Sequence, residues 1–73
     1  MPRERLEFTM TGKIISVNFK VGDEVREEDT ICVLESMKME NPIVAPCRGR
    51  IVEMNLTPGQ VVEAGDLVAV IEY

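Results

Sequence analysis

Apolar and polar side chains alternate along several short stretches of the chain, a pattern typical of β-strands that bury one face. The first alternation places Leu6, Phe8 and Met10 on one side, and it predicts a half-buried strand that breaks at Gly12. A second strand is predicted over residues 14–19. The apolar positions of this second strand are Ile14, Ile15, Val17 and Phe19.

Turn-forming residues separate the strands that follow. Residues 21–23 predict a turn, Val25 a short strand, and the acidic residues 27–29 a solvated loop. The β-branched run at residues 30–35 and the apolar residues 43–45 predict two further strands. Pro42 precedes the second of these, and it indicates an edge or non-pairing position because proline cannot donate a ladder hydrogen bond.

The second part of the chain repeats the first at a shift of 37 residues. The two residues of each matched pair are of a type that requires the same backbone freedom or the same burial. The repeat therefore predicts two similar halves, residues 5–36 and 42–73, within one domain. Halves of about four short strands predict an all-β sandwich or flattened barrel with a two-fold axis. The matched pairs are Gly12 with Gly49, Ile14 with Ile51, Asn18 with Asn55, Gly22 with Gly59, Val25 with Val62, Asp29 with Asp66, Val33 with Val70 and Glu35 with Glu72.

The chain reverses between the two halves at Met37 and Lys38. A two-residue hairpin turn there requires positive φ, for which asparagine, aspartate or glycine is normally selected. The presence of methionine and lysine at this turn therefore indicates a role for these residues other than turn stability. Taken one at a time, however, Lys38 is also compatible with a solvated lysine, and Met37 and Met39 with pliable core residues.

The motif Met37-Lys38-Met39, flanked by Glu35 and Glu40, resembles the attachment signature of the biotinyl/lipoyl domains, and among these the biotin carboxyl carrier proteins. The likeness extends from about Met10 to the last residue, through residues 21–23, 45–46, 49, 58–59 and 64–66. It implies the family's fold. That fold is a barrel-sandwich hybrid, a flattened β-barrel of two four-stranded antiparallel sheets with quasi-two-fold symmetry.

The resemblance also implies a role for each residue of the motif. Lys38 is expected to be the site at which biotin ligase attaches biotin covalently. Met37 and Met39 are expected to contact the ligase or the biotin rings. Glu35, Ser36 and Glu40 are expected to serve recognition by the ligase or another partner.

Two residues depart from the family's pattern. Ser36 stands where a small apolar residue is commoner, and because serine is also small we expect it to tune ligase recognition rather than abolish it. Thr11 stands where the family often has proline before the glycine that follows.

In the family that the chain resembles, the domain is a carrier and not an enzyme. Its biotin acts as a swinging arm that accepts a carboxyl group at a biotin carboxylase and delivers it at a carboxyltransferase, here of the acetyl-CoA, propionyl-CoA or pyruvate carboxylase type. The composition agrees with a carrier. The chain has no histidine and only scattered carboxylates, so the usual nucleophile and base pairings are missing, and no catalytic residue is predicted.

Charge and cysteine content narrow the partners further. The formal charge of −5 argues against nucleic acid and anionic membranes, which attract basic patches. No apolar run approaches the length of a membrane span, which predicts a soluble, cytoplasmic protein. Cys32 and Cys47 are widely spaced and no histidine accompanies them, so neither a metal site nor a disulfide is expected.

Two alternatives stay open at this point. Lipoyl domains share the fold and modify a hairpin lysine, but they typically carry an acidic residue directly before it. Met37 holds that position here, which favours biotin over lipoate, whether lipoate is the sole substrate or a second one. The other alternative is an unmodified structural hairpin module, which would not be expected to keep a lysine between two methionines.

Overall fold

The computed structural model describes residues 1–73, and all of its regular structure is β-strand. Strands β4 and β8 are the most completely buried, and strands β3 and β7 have only two residues each. No helix of a length and hydropathy suited to crossing a membrane is present. The strands are β1 (Arg3–Glu7), β2 (Gly12–Val17), β3 (Glu24–Val25), β4 (Thr30–Ser36), β5 (Met39–Val44), β6 (Gly49–Glu53), β7 (Val61–Val62) and β8 (Leu67–Glu72).

The eight strands form two four-stranded antiparallel sheets. One sheet has the order β1-β8-β6-β3 and the other the order β5-β4-β2-β7. The shift of 37 residues converts β1 to β4 into β5 to β8, and the same exchange converts one strand order into the other. The predicted fold class, an all-β flattened barrel of two such sheets with quasi-two-fold symmetry, is confirmed.

One apolar core lies between the two sheets. The interior strands β4 and β8 supply half of it, because neighbouring strands cover them on both sides. Burial of each large aliphatic side chain contributes roughly 1.5–3 kcal/mol. The hairpin that follows β4 therefore extends from one of the two best-packed strands. The core residues are Phe8, Ile14, Val25, Ile31, Cys32, Leu34, Ala45, Ile51, Val62, Val68, Ala69 and Ile71.

The first strand lies earlier in the chain than its alternation predicts. β1 ends at Glu7, Phe8 is buried just beyond it, and Met10 is 37% exposed. The pairing of β1 with β8 shifts register between Leu6 and Glu7, so Phe8 leaves the ladder and enters the core. The predicted strand through Met10 was therefore wrong beyond Glu7.

Gly12 opens β2, and the break before it begins after Glu7, earlier than the alternation predicts. A Cβ atom on Gly12 would lie 2.5 Å from the carbonyl oxygen of Glu35, on the neighbouring strand β4. A Cβ atom on Gly49, which opens β6, would lie at the same 2.5 Å from the carbonyl oxygen of Glu72. Glycine is needed at both positions because the backbones approach so closely.

The strand β2 also ends at Val17, two residues before the predicted end at Phe19. Its pairing with β4 shifts register between Ile14 and Ser16. Ile14 is buried and Ile15 is 39% exposed, because successive side chains of a strand point to opposite faces.

Most of the remaining predicted elements are found where the sequence places them, but the strand predicted over residues 43–45 is wrong in its bounds, because β5 pairs with β4 from Met39 to Val44. Gly22 lies in the turn at residues 21–22 with a φ of 97°, and β3 follows with Val25 buried. The acidic loop contains a turn at residues 27–28, in which Glu28 has a φ of 73°. Pro42 lies in β5, an edge strand of its sheet, as proline requires.

Candidate modification site

The hairpin between β4 and β5 has a two-residue turn, as the sequence predicts. Ser36 pairs with Met39 across the ladder, and only Met37 and Lys38 lie between them. Their φ values are 54° and 65°. Positive φ at both central residues is the signature of a type I′ turn, and it costs about 1–2 kcal/mol for each residue that is not glycine. The hairpin turn therefore has a backbone conformation that neither methionine nor lysine favours.

The turn presents Lys38 and Met37 to solvent. Met37 is 91% exposed, and Lys38 belongs to the exposed class as well. The molecule has four ion pairs, and none of them includes the Lys38 ammonium group. The amine of Lys38 is therefore not held by any carboxylate of the molecule.

The structure brings the other predicted site residues around the base of the hairpin. Met39 is 66% exposed, and its register partner Ser36 is half-buried. Glu35 and Glu40 are register partners one step further from the turn, and both are exposed. Two carboxylates therefore lie directly opposite each other on neighbouring strands.

Asn41 is a residue of the site that the sequence analysis missed. It is half-buried, and its side-chain amide donates hydrogen bonds to the carbonyl oxygens of Met39 at 3.2 Å and Leu34 at 3.4 Å. The bond to Leu34 connects β5 to β4 just below the turn, and the bond to Met39 lies within β5. The signal was available in the sequence, because Asn41 alternates with Ile43 at a position of β5 where an apolar residue is usual.

The hairpin offers no concave pocket for a small molecule. The molecule's one surface groove is open and polar, and no residue of the hairpin lines it. No cluster of His, Cys, Asp or Glu side chains suited to a metal ion is present. The exposed amine of Lys38 is the nucleophile that the tip of the hairpin presents.

The cysteines lie apart from this site. Both thiols are free, with Cys32 buried in the core and Cys47 half-buried. Burial raises the pKa of the Cys32 thiol to about 11, so it stays protonated at neutral pH and behaves as a small apolar side chain.

A family model described as "Biotin-requiring enzyme", for biotinyl and lipoyl domains, matches residues 4–71. The chain belongs to the biotin/lipoyl family. The match includes the whole hairpin and all of the strands except the first residue of β1 and the last residue of β8.

Three relatives within the biotin/lipoyl family differ in how much of their length the chain spans. A "Biotinylated protein TB7.3 homolog" of Mycobacterium leprae is 35% identical, over 93% of this chain and 96% of its own length. A "Biotin carboxyl carrier protein" of Streptococcus mutans is 46% identical, over 78% of this chain and 44% of its own length. A "Biotin/lipoyl attachment protein" of Bacillus subtilis is 39% identical, over 81% of each chain.

A solved structure of a biotin/lipoyl domain inside a large enzyme has the same fold. Urea carboxylase of Kluyveromyces lactis superposes on 99% of this chain with a TM-score of 0.87 and 36% sequence identity. The chain corresponds to only 6% of that enzyme. The same fold therefore occurs in proteins of about this size and as a small part of a multidomain carboxylase.

Proposed function

We propose that this chain is a biotin carrier of a biotin-dependent carboxylase and that Lys38 is the residue to which biotin is attached. One observation carries the proposal. A member of the biotin/lipoyl family presents an exposed lysine without an ion pair at the tip of a two-residue turn whose backbone disfavours lysine. The carrier unit is the whole of residues 1–73, with halves 5–36 and 42–73 on either side of the hairpin.

The attachment is an acyl transfer to an amine. Biotin ligase presents the carboxyl carbon of biotin in an activated form, and Lys38 Nζ forms an amide bond to that carbon as the bond to the adenylate leaving group breaks. The ammonium group loses two protons to solvent in the process. The formal charge of the chain, −5 before attachment, becomes more negative by one. Met37 and Met39 provide soft, exposed surface on either side of the amine.

Once attached, biotin supplies the nitrogen that carries a carboxyl group between two active sites. The chain's own contribution is to tether that group and to deliver it, first to a biotin carboxylase and then to a carboxyltransferase. The relative from Streptococcus mutans and the carboxylase from Kluyveromyces lactis support this assignment. We further propose that the chain serves a carboxylase of the acetyl-CoA, propionyl-CoA or pyruvate carboxylase type and that it is located in the cytoplasm.

The test is the intact mass of the chain after incubation with biotin ligase, ATP and biotin. The wild-type chain is expected to gain one biotinyl group, and Lys38→Arg to gain none. Lys13→Arg is the matched control, because Lys13 is also an exposed lysine on the same sheet, and it should gain one group. An unmodified wild-type chain would overturn the proposal and favour a structural hairpin module.

A second candidate function is a carrier that accepts lipoate, alone or together with biotin. The similarity to the Bacillus subtilis protein named for both groups favours it. Met37 opposes it, because lipoyl domains usually have an acidic residue directly before the lysine. The same mass measurement with lipoate ligase and lipoate distinguishes the two. A lipoyl increment on Lys38 without a biotinyl one would replace the first proposal.

A further inference from the structure

The one surface groove of the molecule lies against the sheet β1-β8-β6-β3, beside the edge strand β3. The groove is open and polar, and it is remote from the hairpin in the list of residues that form it. Three of the chain's eight basic residues line it, although the formal charge of the chain is −5. These three residues are Arg26, Arg48 and Arg50.

Two of the basic residues, Arg26 and Arg48, lie opposite each other. The pairing of β3 with β6 ends at Val25, and the next residues along the two chain segments are Arg26 and Arg48. The segments stay together beyond this point, where Glu28 N donates to Ala45 O at 2.8 Å. Since Val25 is buried and successive side chains of a strand point to opposite faces, both arginines point outward, and both are exposed.

The arginine pair is not neutralised within the molecule. The molecule has four ion pairs, and neither Arg26 nor Arg48 takes part in one. Like charges directly opposite each other destabilise a ladder. The fold does not require them, because the shift of 37 residues places Glu63 and Thr11 at the equivalent positions of the other half. The molecule therefore keeps an unfavourable pair of cations without a structural need.

The carboxylates of the groove do not neutralise the arginine pair either. Four acidic residues line the groove, and only Glu27 among them has neither an ion pair nor a hydrogen bond to the backbone. The two guanidinium groups are therefore available to an anion from outside the molecule. Of the other three, Glu24 Oε1 lies 3.6 Å from Arg50 Nη2, Glu72 Oε2 lies 3.2 Å from Arg3 Nε, and Asp29 Oδ2 accepts a hydrogen bond from Arg26 N at 2.8 Å.

We propose that this groove is the docking site for an acidic peptide segment of the carboxylase, bound by the guanidinium groups of Arg26 and Arg48. The identity of this partner rests on the proposed function. A guanidinium group is a planar fork of donors that binds a carboxylate through two parallel hydrogen bonds. An open groove suits an extended segment, whereas a small anion is held in a concave site that encloses most of it.

The position of the groove suits a partner that holds the carrier without covering Lys38. The strand β2 begins beside the base of the hairpin, where Gly12 lies against Glu35, and it runs away from the hairpin. Beyond the end of β2, Gly22 N donates to Ile51 O on β6, the strand that contributes Arg50 to the groove. A carboxylase that binds the carrier at the groove therefore leaves Lys38 free to reach both active sites in turn, at a raised effective concentration.

The first experiment titrates the isotope-labelled chain with a capped hexaglutamate peptide and follows the amide signals by NMR. The largest shifts are expected at residues 24–29 and 48–50. Arg26→Gln and Arg48→Gln should each weaken peptide binding about tenfold, because each removes hydrogen bonds between charged groups. The effect should shrink in 1 M salt, where the screening length falls to about 3 Å. Glu27→Gln should strengthen binding about twofold, since it removes the one free carboxylate of the groove.

Arg5→Gln is the matched control. Arg5 is an exposed arginine of the same sheet that lies outside the groove, so the variant makes the same change of charge elsewhere. It should leave the affinity for the peptide unchanged. Urea denaturation of Arg48→Gln should show equal or greater stability than the wild type, because the like-charge pair is removed. Weaker binding by this variant therefore cannot come from unfolding.

The second experiment identifies the partner through the kinetics of the biotinylated chain. With the biotin carboxylase and carboxyltransferase components supplied separately, the KM for the carrier should rise about tenfold in Arg48→Gln with kcat unchanged, because a charge at an interface rim acts mainly on association. The KM of biotin ligase for the same variant should stay at the wild-type value, since the groove is remote from Lys38. Hexaglutamate should inhibit the carboxylase reaction by competing with the docked segment.

The outcomes separate this inference from the proposed function. A wild-type chain that gains no biotin contradicts the proposed function, while the peptide titration still tests the groove. A biotinylated chain that binds hexaglutamate equally well with and without Arg48 overturns the inference alone. It is also overturned if inorganic phosphate binds as tightly as the peptide, which would indicate a simple anion site. A KM raised for biotin ligase and not for the carboxylase would exclude the carboxylase as the occupant.

Discussion

The hairpin end and the terminal end of this molecule each have an antiparallel pair of strands, but the two pairs are joined differently at their ends. At the hairpin end, β4 and β5 end in the pair Ser36 and Met39, joined by Met37 and Lys38. At the terminal end, Tyr73 and Pro2, the equivalents of Ser36 and Met39, lie just beyond β8 and β1, and Tyr73 N donates to Pro2 O at 3.0 Å. This second pair of strands is held at its end by a backbone hydrogen bond between residues far apart in the sequence.

The comparison separates what the fold needs from what the hairpin carries. Met37 and Lys38 are the only residues between β4 and β5, so they form the whole of this connection. Outside the hairpin, three of the four left-handed turn residues are glycines, Gly22, Gly59 and Gly65, with φ values of 97°, 92° and 95°, and the fourth is Glu28 with a φ of 73°. Glycine is the usual residue in this backbone conformation because it has no Cβ atom. The hairpin instead keeps two side chains in the same left-handed region of φ.

The largest expected effect comes from the two glycines that open β2 and β6. Gly12→Ala and Gly49→Ala each place a Cβ atom 2.5 Å from a carbonyl oxygen, so each should lower the free energy of unfolding by about 3 kcal/mol in urea denaturation. Only Gly12→Ala displaces the backbone of Glu35, at the base of the hairpin. It should slow biotinylation of the folded fraction several-fold, whereas Gly49→Ala should not. Equal rates for both variants would contradict the coupling between this contact and the hairpin.

A smaller effect distinguishes the turns themselves. Met37→Gly removes the cost of holding a non-glycine residue in the left-handed region of φ. Since glycine loses more backbone entropy on folding, the net gain in the free energy of unfolding should be about 1 kcal/mol. Biotinylation should nevertheless slow, because the turn loses an exposed methionine beside Lys38 and gains freedom. Initial rates with biotin ligase and thermal denaturation provide the two measurements.

Glu28→Gly is the control for this prediction. Glu28 has a φ of 73° and its equivalent in the other half is Gly65, so the variant copies a turn that the molecule already contains. It should gain similar stability and keep the wild-type rate of biotinylation. If Met37→Gly is modified as fast as Glu28→Gly, the side chain of Met37 has no part in the reaction.

The sequence predicts the local features of this comparison well. Alternation and turn residues predict the hairpin at Met37 and Lys38, the short strand at Val25 and the turn at Gly22, because each depends on neighbouring residues alone. The repeat of 37 residues and the family resemblance predict the two-sheet architecture. Exposure of Lys38 follows from its place in a two-residue turn.

The features that the sequence does not predict depend on contacts between distant strands. Periodicity indicates which face of a strand is buried, but it does not give the strand's partner or register. The close approach of Gly12 to Glu35, the register shift in β2 and the position of Arg48 opposite Arg26 all depend on how the strands pair. The prediction that Met10 lies on the buried face is wrong for the same reason, because the register shift in β1 depends on its pairing with β8 and not on neighbouring residues.

The smallest expected effect concerns a turn whose last residue is charged in one half and neutral in the other. Asp23 Oδ2 accepts a hydrogen bond from Lys20 N at 3.0 Å, and its equivalent Gln60 uses Oε1 to accept one from Thr57 N at 3.1 Å. The hydrogen bond from the Lys20 backbone N–H, aided by the one from the Lys20 side chain, lowers the pKa of Asp23. The ionised carboxylate is therefore favoured in the folded state.

The sign of the pH dependence follows from this shift. The contribution of Asp23 to stability is present above about pH 4, the ordinary pKa of aspartate, and it is lost as the pH falls through the lower pKa of the folded state. Asp23→Asn, which imitates the neutral Gln60, should therefore lose less stability than the wild type between pH 5 and pH 3. Gln60→Glu should lose more, since it brings a carboxylate into the second half. Urea midpoints at the two pH values measure both, and parallel loss in all three proteins would show that the charge of this turn residue does not matter.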